Sequence, residues 1–165
     1  MKKILSILLV LFSLNIVAQE NELKWYTNAD KAIATAMANN KPVYMFFTGS
    51  DWCGWCIKLQ KKILTTKEFK SWANKNVVLL ELDFPKRKKL DENLTKQNNY
   101  FRQLFAKQKK PIQGYPTGIF VTLSNNNQEL TINELGRHAV QLKPGTREFV
   151  SPNTWISTAN KIIKK

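Results

Sequence analysis

The chain has 165 residues, 43% of them hydrophobic, and a formal net charge of +14 from 26 Lys or Arg against 12 Asp or Glu. That length suits one domain whose core stands without stapling by disulfides or metals. The excess of base would favour nucleic acid in a cytosolic chain. However, no aromatics interleave with the basic runs Lys86-Arg87-Lys88-Lys89, Lys107 with Lys109-Lys110, and Lys161 with Lys164-Lys165. The expected roles of these runs are solvated faces and attraction to anionic surfaces or acidic partners, with no nucleic-acid partner.

Met1-Lys2-Lys3 is a short basic region, Ile4 to Leu14 is nearly continuous apolar sequence, and Ala18 supplies a small residue at a cut site. This pattern predicts a signal peptide over residues 1–18 and a single domain over 19–165. Ile16, at the third position before the cut, is bulkier than usual. An uncleaved anchor needs about 20 apolar residues, and Ser6, Ser13 and Asn15 interrupt a shorter run. The expectation is therefore cleavage, export to the periplasm or exterior, and no stable membrane insertion. No cysteine lies in the first 20 residues, which excludes a lipid on a mature N-terminal cysteine. Cleavage after Ala18 removes Lys2 and Lys3 and no acid, so the net charge falls from +14 to +12.

Leu23, Trp25 and Tyr26 predict a brief strand. Asn28 or Asp30 is placed to cap a helix reaching about Asn39, with Ala29, Ile33, Ala36 and Met37 at helical spacing. Pro42 opens a strand, Val43 to Phe47, whose unbroken apolar run suits a central position covered on both faces. Thr48-Gly49-Ser50-Asp51 turns the chain into Trp52-Cys53-Gly54-Trp55-Cys56, which contains both cysteines of the protein. A helix is expected from Gly54 to about Leu64, then a break at Thr65-Thr66 and a second piece carrying Phe69 and Trp72 inward. Val77 to Asp83 is a second buried strand, and a crossover of this length implies that it lies parallel to the first.

The basic run 86–89 reads as an exposed loop. Leu94, Phe101, Leu104 and Phe105 share one face of a helix from about Asp91 to Gln108. Thr117 to Leu123 is predicted as a strand, Ser124 to Asn127 as a tight polar turn, and Gln128 to Leu135 as its antiparallel partner. A loop through Gly136 and Pro144-Gly145 leads to a last amphipathic helix from Pro152 to Lys164, with Trp155, Ile156, Ala159, Ile162 and Ile163 inward.

Two thiols that close, between a strand and a helix, can form and break a disulfide. Competing readings are weaker. A structural disulfide closing so short a loop contributes only about 2 kcal/mol. Structural zinc needs four ligands, more than two cysteines and His138 provide. No metal or other cofactor is expected.

The order β-α-β-α-β-α-β-β-α, with Trp52-Cys53-Gly54-Trp55-Cys56 after the second strand and Tyr115-Pro116-Thr117 before the fourth, resembles the thioredoxin superfamily. The wording from Phe47 to Cys56 is similar to exported thioredoxin-like proteins and to the thioredoxin-like domain of Dsb-class disulfide interchange proteins. The resemblance implies an α/β thioredoxin fold, a central mixed sheet flanked by helices, with an extended helical insertion before the proline loop. It implies a thiol–disulfide oxidoreductase acting on proteins with disulfides or thiols, leaning to reductase or isomerase and resupplied by a membrane electron-transfer thiol partner. A monomer is expected. A non-catalytic binding module that uses the aromatic and basic surface is the alternative.

Cys53 is expected at the helix N-terminus, where free N–H groups favour a thiolate nucleophile. Cys56, one turn on, is expected to resolve the mixed disulfide. The resemblance further implies that Pro116 is cis and faces the sulfurs, that Tyr115 pairs with an extended partner segment, and that Gly136 lies on a third loop nearby. Trp52, Gly54 and Trp55 complete the expected contact surface. Many thioredoxins carry a buried aspartate six residues before the first cysteine, paired with a lysine on the next strand. An ungapped reading puts Phe47 and Leu79 there, which implies a dry core. Asp51 is expected to be an exposed acid, and His138 a surface residue without a catalytic role.

Overall fold

The computed structural model describes residues 23–126 and 129–164. The signal segment expected over 1–18 lies outside the described residues. Among these, no helix is long and apolar enough to cross a membrane. Five strands form one sheet in the order β1-β3-β2-β4-β5: β1 Trp25–Tyr26, β2 Val43–Thr48, β3 Val78–Asp83, β4 Thr117–Asn126 and β5 Glu129–Arg137. β1, β3 and β2 run parallel, whereas β4 pairs antiparallel to both β2 and β5. The sheet is mixed, as expected.

Local chemistry sets where the helices begin and end. The Asn28 side chain accepts the Lys31 N–H and starts α1, Ala29–Ala38, and Asn40 at φ 50° ends that turn of chain. Such a φ is unusual outside glycine, and asparagine is one of the residues that tolerates it. α2, Gly54–Leu59, runs into a π-helical turn at Gln60–Leu64, so the single helix expected here changes its hydrogen-bond step midway. Thr66 caps α3, Lys67–Asn76, and Asp91 caps α4, Glu92–Lys107, by accepting the Asn93 and Leu94 N–H groups. Ser151 caps α5, Pro152–Ile163, whose proline occupies the first turn where no N–H partner is needed.

The hairpin differs from the sequence expectation. Asn125 and Asn126 pair with Leu130 and Glu129, so β4 outlasts the predicted turn at Ser124, and β5 runs on to Arg137. Ladder hydrogen bonds override the turn preference of asparagine. Phe120 opposes Gly136 while Val121 opposes Glu134, which leaves Leu135 as a bulge residue.

Alternation along β2 divides the core into two layers. Tyr44 and Phe46 join Cys56, Leu59, Ile63, Phe69, Trp72, Leu79, Phe120 and Trp155 beneath α2, α3 and α5. Val43, Met45 and Phe47 join Leu80, Leu82, Phe101, Phe105, Ile119 and Val121 beneath α1 and α4. All six residues of β2 are buried, which accounts for its unbroken apolar run.

Candidate active site

The chain leaves β2 at Thr48 and turns over Gly49, whose carbonyl accepts the N–H groups of Trp52 (3.3 Å) and Cys53 (2.9 Å). A side chain at Gly49 would collide with the Trp52 indole. Asp83, at the end of β3, fixes the turn from the other side: its carboxylate accepts the Ser50 N–H (2.8 Å) and hydroxyl (2.6 Å). Two adjacent strands thus deliver Cys53 to one point.

Cys53 caps α2. Its Sγ accepts the Cys56 backbone N–H at 3.2 Å, and a disulfide joins the two residues. Cys53 is 5% exposed and Cys56 is 0% exposed. Only Cys53 presents an edge to a partner. Gly54 is exposed on the first turn, and Trp55 is 39% exposed, packed on Phe149 with ring centroids 5.9 Å apart. Lys58 Nζ lies 5.1 Å from the Trp55 ring.

Trp52 is half-buried. Its indole N–H donates to the Phe84 carbonyl (2.8 Å), and its ring meets Tyr115 edge-on at 5.6 Å. The Tyr115–Pro116 bond is cis. Pro116 lines a cleft of about 310 Å³ with Gln113, Thr117, Gly118 and Arg137 to Val140. Trp52, the residue before Cys53, is thus in ring contact with Tyr115, the residue before the cis proline.

Gly136 is placed differently. It sits inside β5 opposite Phe120, and a side chain there would press on Ile162 of α5 at 3.0 Å. Its evident role is close helix packing, and the segment just after it borders the Pro116 cleft.

Two expectations need correction, and a third gains detail. His138 is buried, 8% exposed, rather than on the surface. Its ring packs on Trp155 at 4.3 Å, its Nε2 lies 3.2 Å from the Trp155 carbonyl, and its own carbonyl accepts the Tyr44 hydroxyl at 3.0 Å. Burial pushes its pKa down to about 4 against the weaker raising effect of the Trp155 carbonyl. The residue of β2 on the disulfide side is Phe46, because strand alternation turns Phe47 into the opposite layer against Phe84 and Phe105. Phe46 and Leu79 are both buried on the disulfide side, so the layer is apolar at these positions, although through a neighbouring residue. Asp51 stays at the surface, and its carboxylate is engaged there: it accepts the backbone N–H groups of Lys86 (2.9 Å), Arg87 (2.7 Å) and Lys88 (2.9 Å). Those bonds, Lys86 first, hold its pKa below the usual carboxylate range.

The sequence reading also missed contributors. Phe149 reaches Trp55 from a hairpin in which Leu142 bridges Phe149 and Gly145 takes φ 70°. Phe84 closes the floor between Trp52, Tyr115 and Phe47. Nothing in the local sequence marks the Phe84 ring as part of the site. Glu81 opposes Phe46 across the ladder, half-buried, with its pKa raised by burial and then by Asp83. Thr48 is fully buried, and its hydroxyl has no hydrogen-bond partner among the described residues. Among these residues no cluster of His, Cys, Asp and Glu is suited to a metal.

Residues 29–130 match a family model described as a thioredoxin-like domain. The chain is 37% identical over 99 residues to a Chlamydia pneumoniae protein named disulfide bond reductase DsbH, covering 60% of this chain and 56% of that one. It is 29% identical over 133 residues to thioredoxin-related protein DsbJ of the same organism, covering 78% and 36%. The chain thus spans about half the length, or less, of these curated relatives. A solved structure titled DsbH oxidoreductase superposes with a TM-score of 0.66 at 29% identity, covering 91% of this chain and 90% of that one. A thioredoxin from Thermus thermophilus, at 16% identity and TM-score 0.53, shares the fold, covering 85% and 86%. With its mixed five-stranded sheet, its disulfide at the head of α2 and its cis-proline rim, the chain belongs to the thioredoxin-like family.

Proposed function

We propose that the protein is an exported thiol–disulfide oxidoreductase that acts on protein disulfides through Cys53 and Cys56, in the reducing direction. The observation that carries this reading is the asymmetry of the pair: Cys53 has an exposed edge and Cys56 has none. In the reduced protein the Cys53 thiolate attacks one sulfur of a partner disulfide. The partner S–S bond breaks, a mixed disulfide forms, and the first partner sulfur leaves as a thiolate that takes up a proton. Cys56 then loses its proton and attacks Cys53 Sγ, which restores the internal disulfide and releases the second partner thiol. Two electrons pass from the Cys53–Cys56 dithiol to the partner. The Cys56 N–H points at Cys53 Sγ at 3.2 Å in the disulfide form, which places that sulfur at a helix start, where free N–H groups favour an anion.

Trp52, Gly54, Trp55, Tyr115 and Pro116 are assigned to partner contact, and Gly136 to shaping the strand that leads to the rim. The reducing direction draws support from the printed name of the 37% identical relative. Export draws support from the residue pattern of positions 1–18. A membrane electron-transfer thiol protein would re-reduce the pair, and the working form is a monomer.

Trapping with Cys56→Ser tests the reaction. Attack by Cys53 still occurs but release fails, so disulfide-linked proteins accumulate on Cys53. If Cys53 reacts normally with small thiol reagents and no linked protein appears, protein disulfides are not the substrate. The potential of the Cys53–Cys56 couple tests direction: a value near about −120 mV, that of a strong oxidant, contradicts a reductase.

A further inference from the structure

The stretch from Phe84 to Lys88 is held beside the disulfide by bonds that the thiol chemistry does not require. Asp51 gathers three consecutive backbone N–H groups, those of Lys86, Arg87 and Lys88, on one carboxylate. Trp52 binds the Phe84 carbonyl through its indole N–H, and Lys86 Nζ lies 4.1 Å from the Trp52 ring centroid. Tyr115 touches both Trp52 and Phe84, at 5.6 and 5.4 Å. Asp51 and Trp52 are the two residues immediately before Cys53, so the basic run is fastened to the chain that carries the nucleophile. Ordering a loop costs about 1–2 kcal/mol per residue in backbone entropy. A run that served only solubility would need no such fixing.

The run also carries four cationic side chains that form no ion pair among the described residues. Lys86 to Lys89 are all exposed, and the ion pairs formed among the described residues are Lys96–Glu92, Arg137–Glu134 and Lys143–Glu148. A groove of about 830 Å³ continues from the run, with Phe84, Pro85 and Leu90 as its apolar lining and Lys88 and Lys89 as its cationic part. The acids that line it are engaged elsewhere. Asp83 holds Ser50, Asp91 caps α4, and Glu92 pairs with Lys96. Hydrogen bonds do not cancel charge, so Asp51, Asp83 and Asp91 count against Lys86, Arg87, Lys88 and Lys89; with Glu92 paired to Lys96, four cations face three carboxylates and the cations are the exposed heads.

We propose that the Asp51-pinned loop selects the substrate: the protein prefers disulfides flanked by an extended acidic segment, whose carboxylates pair with the exposed heads of Arg87, Lys88 and Lys89 on the loop. Asp51 is the positioning residue. The inference rests on the oxidoreductase reading above and names the substrate class of that same site.

The test uses the full chain, reduced beforehand, and three synthetic peptides with one internal disulfide flanked by aspartate and glutamate, by glutamine, or by lysine. Each turnover oxidises the Cys53–Cys56 dithiol to the disulfide and reduces the peptide disulfide to two thiols, read as loss of protein thiol. At low ionic strength the acidic peptide should react at least about tenfold faster than the lysine peptide, the lower end of electrostatic steering. In about 0.5 M salt the ratio should approach one. The triple substitution Arg87→Gln, Lys88→Gln, Lys89→Gln should remove the preference, and Asp51→Asn should reduce it. A ratio of rates is unmoved by a loss of folded fraction or of general thiol reactivity, so a merely structural role would leave it intact. Equal rates for the three peptides in the wild type, or an unchanged ratio in the triple variant, overturns the assignment of this loop. If the folded, reduced protein turns over none of the three peptides, the oxidoreductase reading itself fails and the inference falls with it.

Discussion

The two faces of the sheet are packed by different means. Beneath α1 and α4 the layer is aliphatic and phenylalanine-based, and its polar contacts lie at the edge, where Asn98 donates to the Asp83 carbonyl and Gln97 accepts the Ala29 N–H. Beneath α2, α3 and α5 the large aromatic rings carry hydrogen bonds. Trp155 donates to the Ala139 carbonyl (2.7 Å), Trp72 to Asn160 Oδ1 (2.8 Å) and Tyr44 to the His138 carbonyl (3.0 Å). Filling volume is enough for the first layer. The second layer also fixes directions, which ties β2, α5 and the segment after β5 into the frame that holds Cys56 and borders Pro116.

A pair of truncations should break this symmetry. Phe105→Ala and Trp155→Ala each empty a fully buried site and should each cost about 3–5 kcal/mol in denaturant unfolding. Phe105→Ala should leave the rate of a small-disulfide reaction per folded molecule at the wild-type value. Trp155→Ala removes the bond to Ala139 and the packing on His138 and should lower that rate as well. Equal effects of the two on rate would show that directional bonding on the disulfide side is not what aims the site.

Gly118 probes the frame next. A side chain there would collide with the Tyr44 hydroxyl and the His138 carbonyl, so Gly118→Ala should cost about 3 kcal/mol by overpacking. Tyr44→Phe alone should cost about 1 kcal/mol, the net worth of one hydrogen bond. The double variant should be less unstable than the sum, because the phenylalanine removes the nearest of the colliding atoms. Additive losses would place the strain elsewhere.

His138 sharpens the comparison through pH. Its pKa is about 4 in the folded protein against an ordinary value of 6.5, so the unfolded chain binds the proton more readily. The contribution to stability is fully present above about pH 6.5 and is lost as pH falls towards 4, on the order of 2 kcal/mol. Stability measured from pH 7 to 4 should therefore fall less steeply in His138→Gln than in the wild type. Parallel curves would mean that the ring is solvated in the native state.

Much of this was readable from residues alone, for physical reasons that differ by region. Val43 to Phe47 announces itself because burial on both faces leaves an unbroken apolar run, Leu94 to Phe105 because burial on one face imposes a helical period, and Trp52-Cys53-Gly54-Trp55-Cys56 because two lone cysteines at that spacing have few other uses. His138 was misplaced because nothing next to it in sequence reports Trp155, the ring that covers it. Counting back from Cys53 points to Phe47 because it ignores the length of the turn at Gly49 to Trp52, whereas alternation along β2 selects Phe46. The binding of Asp51 to Lys86, Arg87 and Lys88 is a contact between segments 35 to 37 residues apart, and no local pattern encodes it.

The smallest effect comes from Thr48, where the disulfide layer breaks its own rule. By alternation this side chain faces the same layer as Tyr44 and Phe46, and its hydroxyl is buried without a partner among the described residues. A buried unsatisfied hydroxyl costs about 1–3 kcal/mol, and valine has nearly the same shape. Thr48→Val should therefore stabilise the protein by about 1 kcal/mol, read as a higher midpoint in denaturant. Thr48 also stands at the end of β2, five residues before Cys53, so the same variant reports whether the hydroxyl serves the thiols. Resolution of a Cys53 mixed disulfide, followed by the rate at which Cys56 releases a thiol, should be unchanged. A higher midpoint with slower release would instead assign the hydroxyl to the chemistry of Cys56, as a polar group retained at a cost in stability.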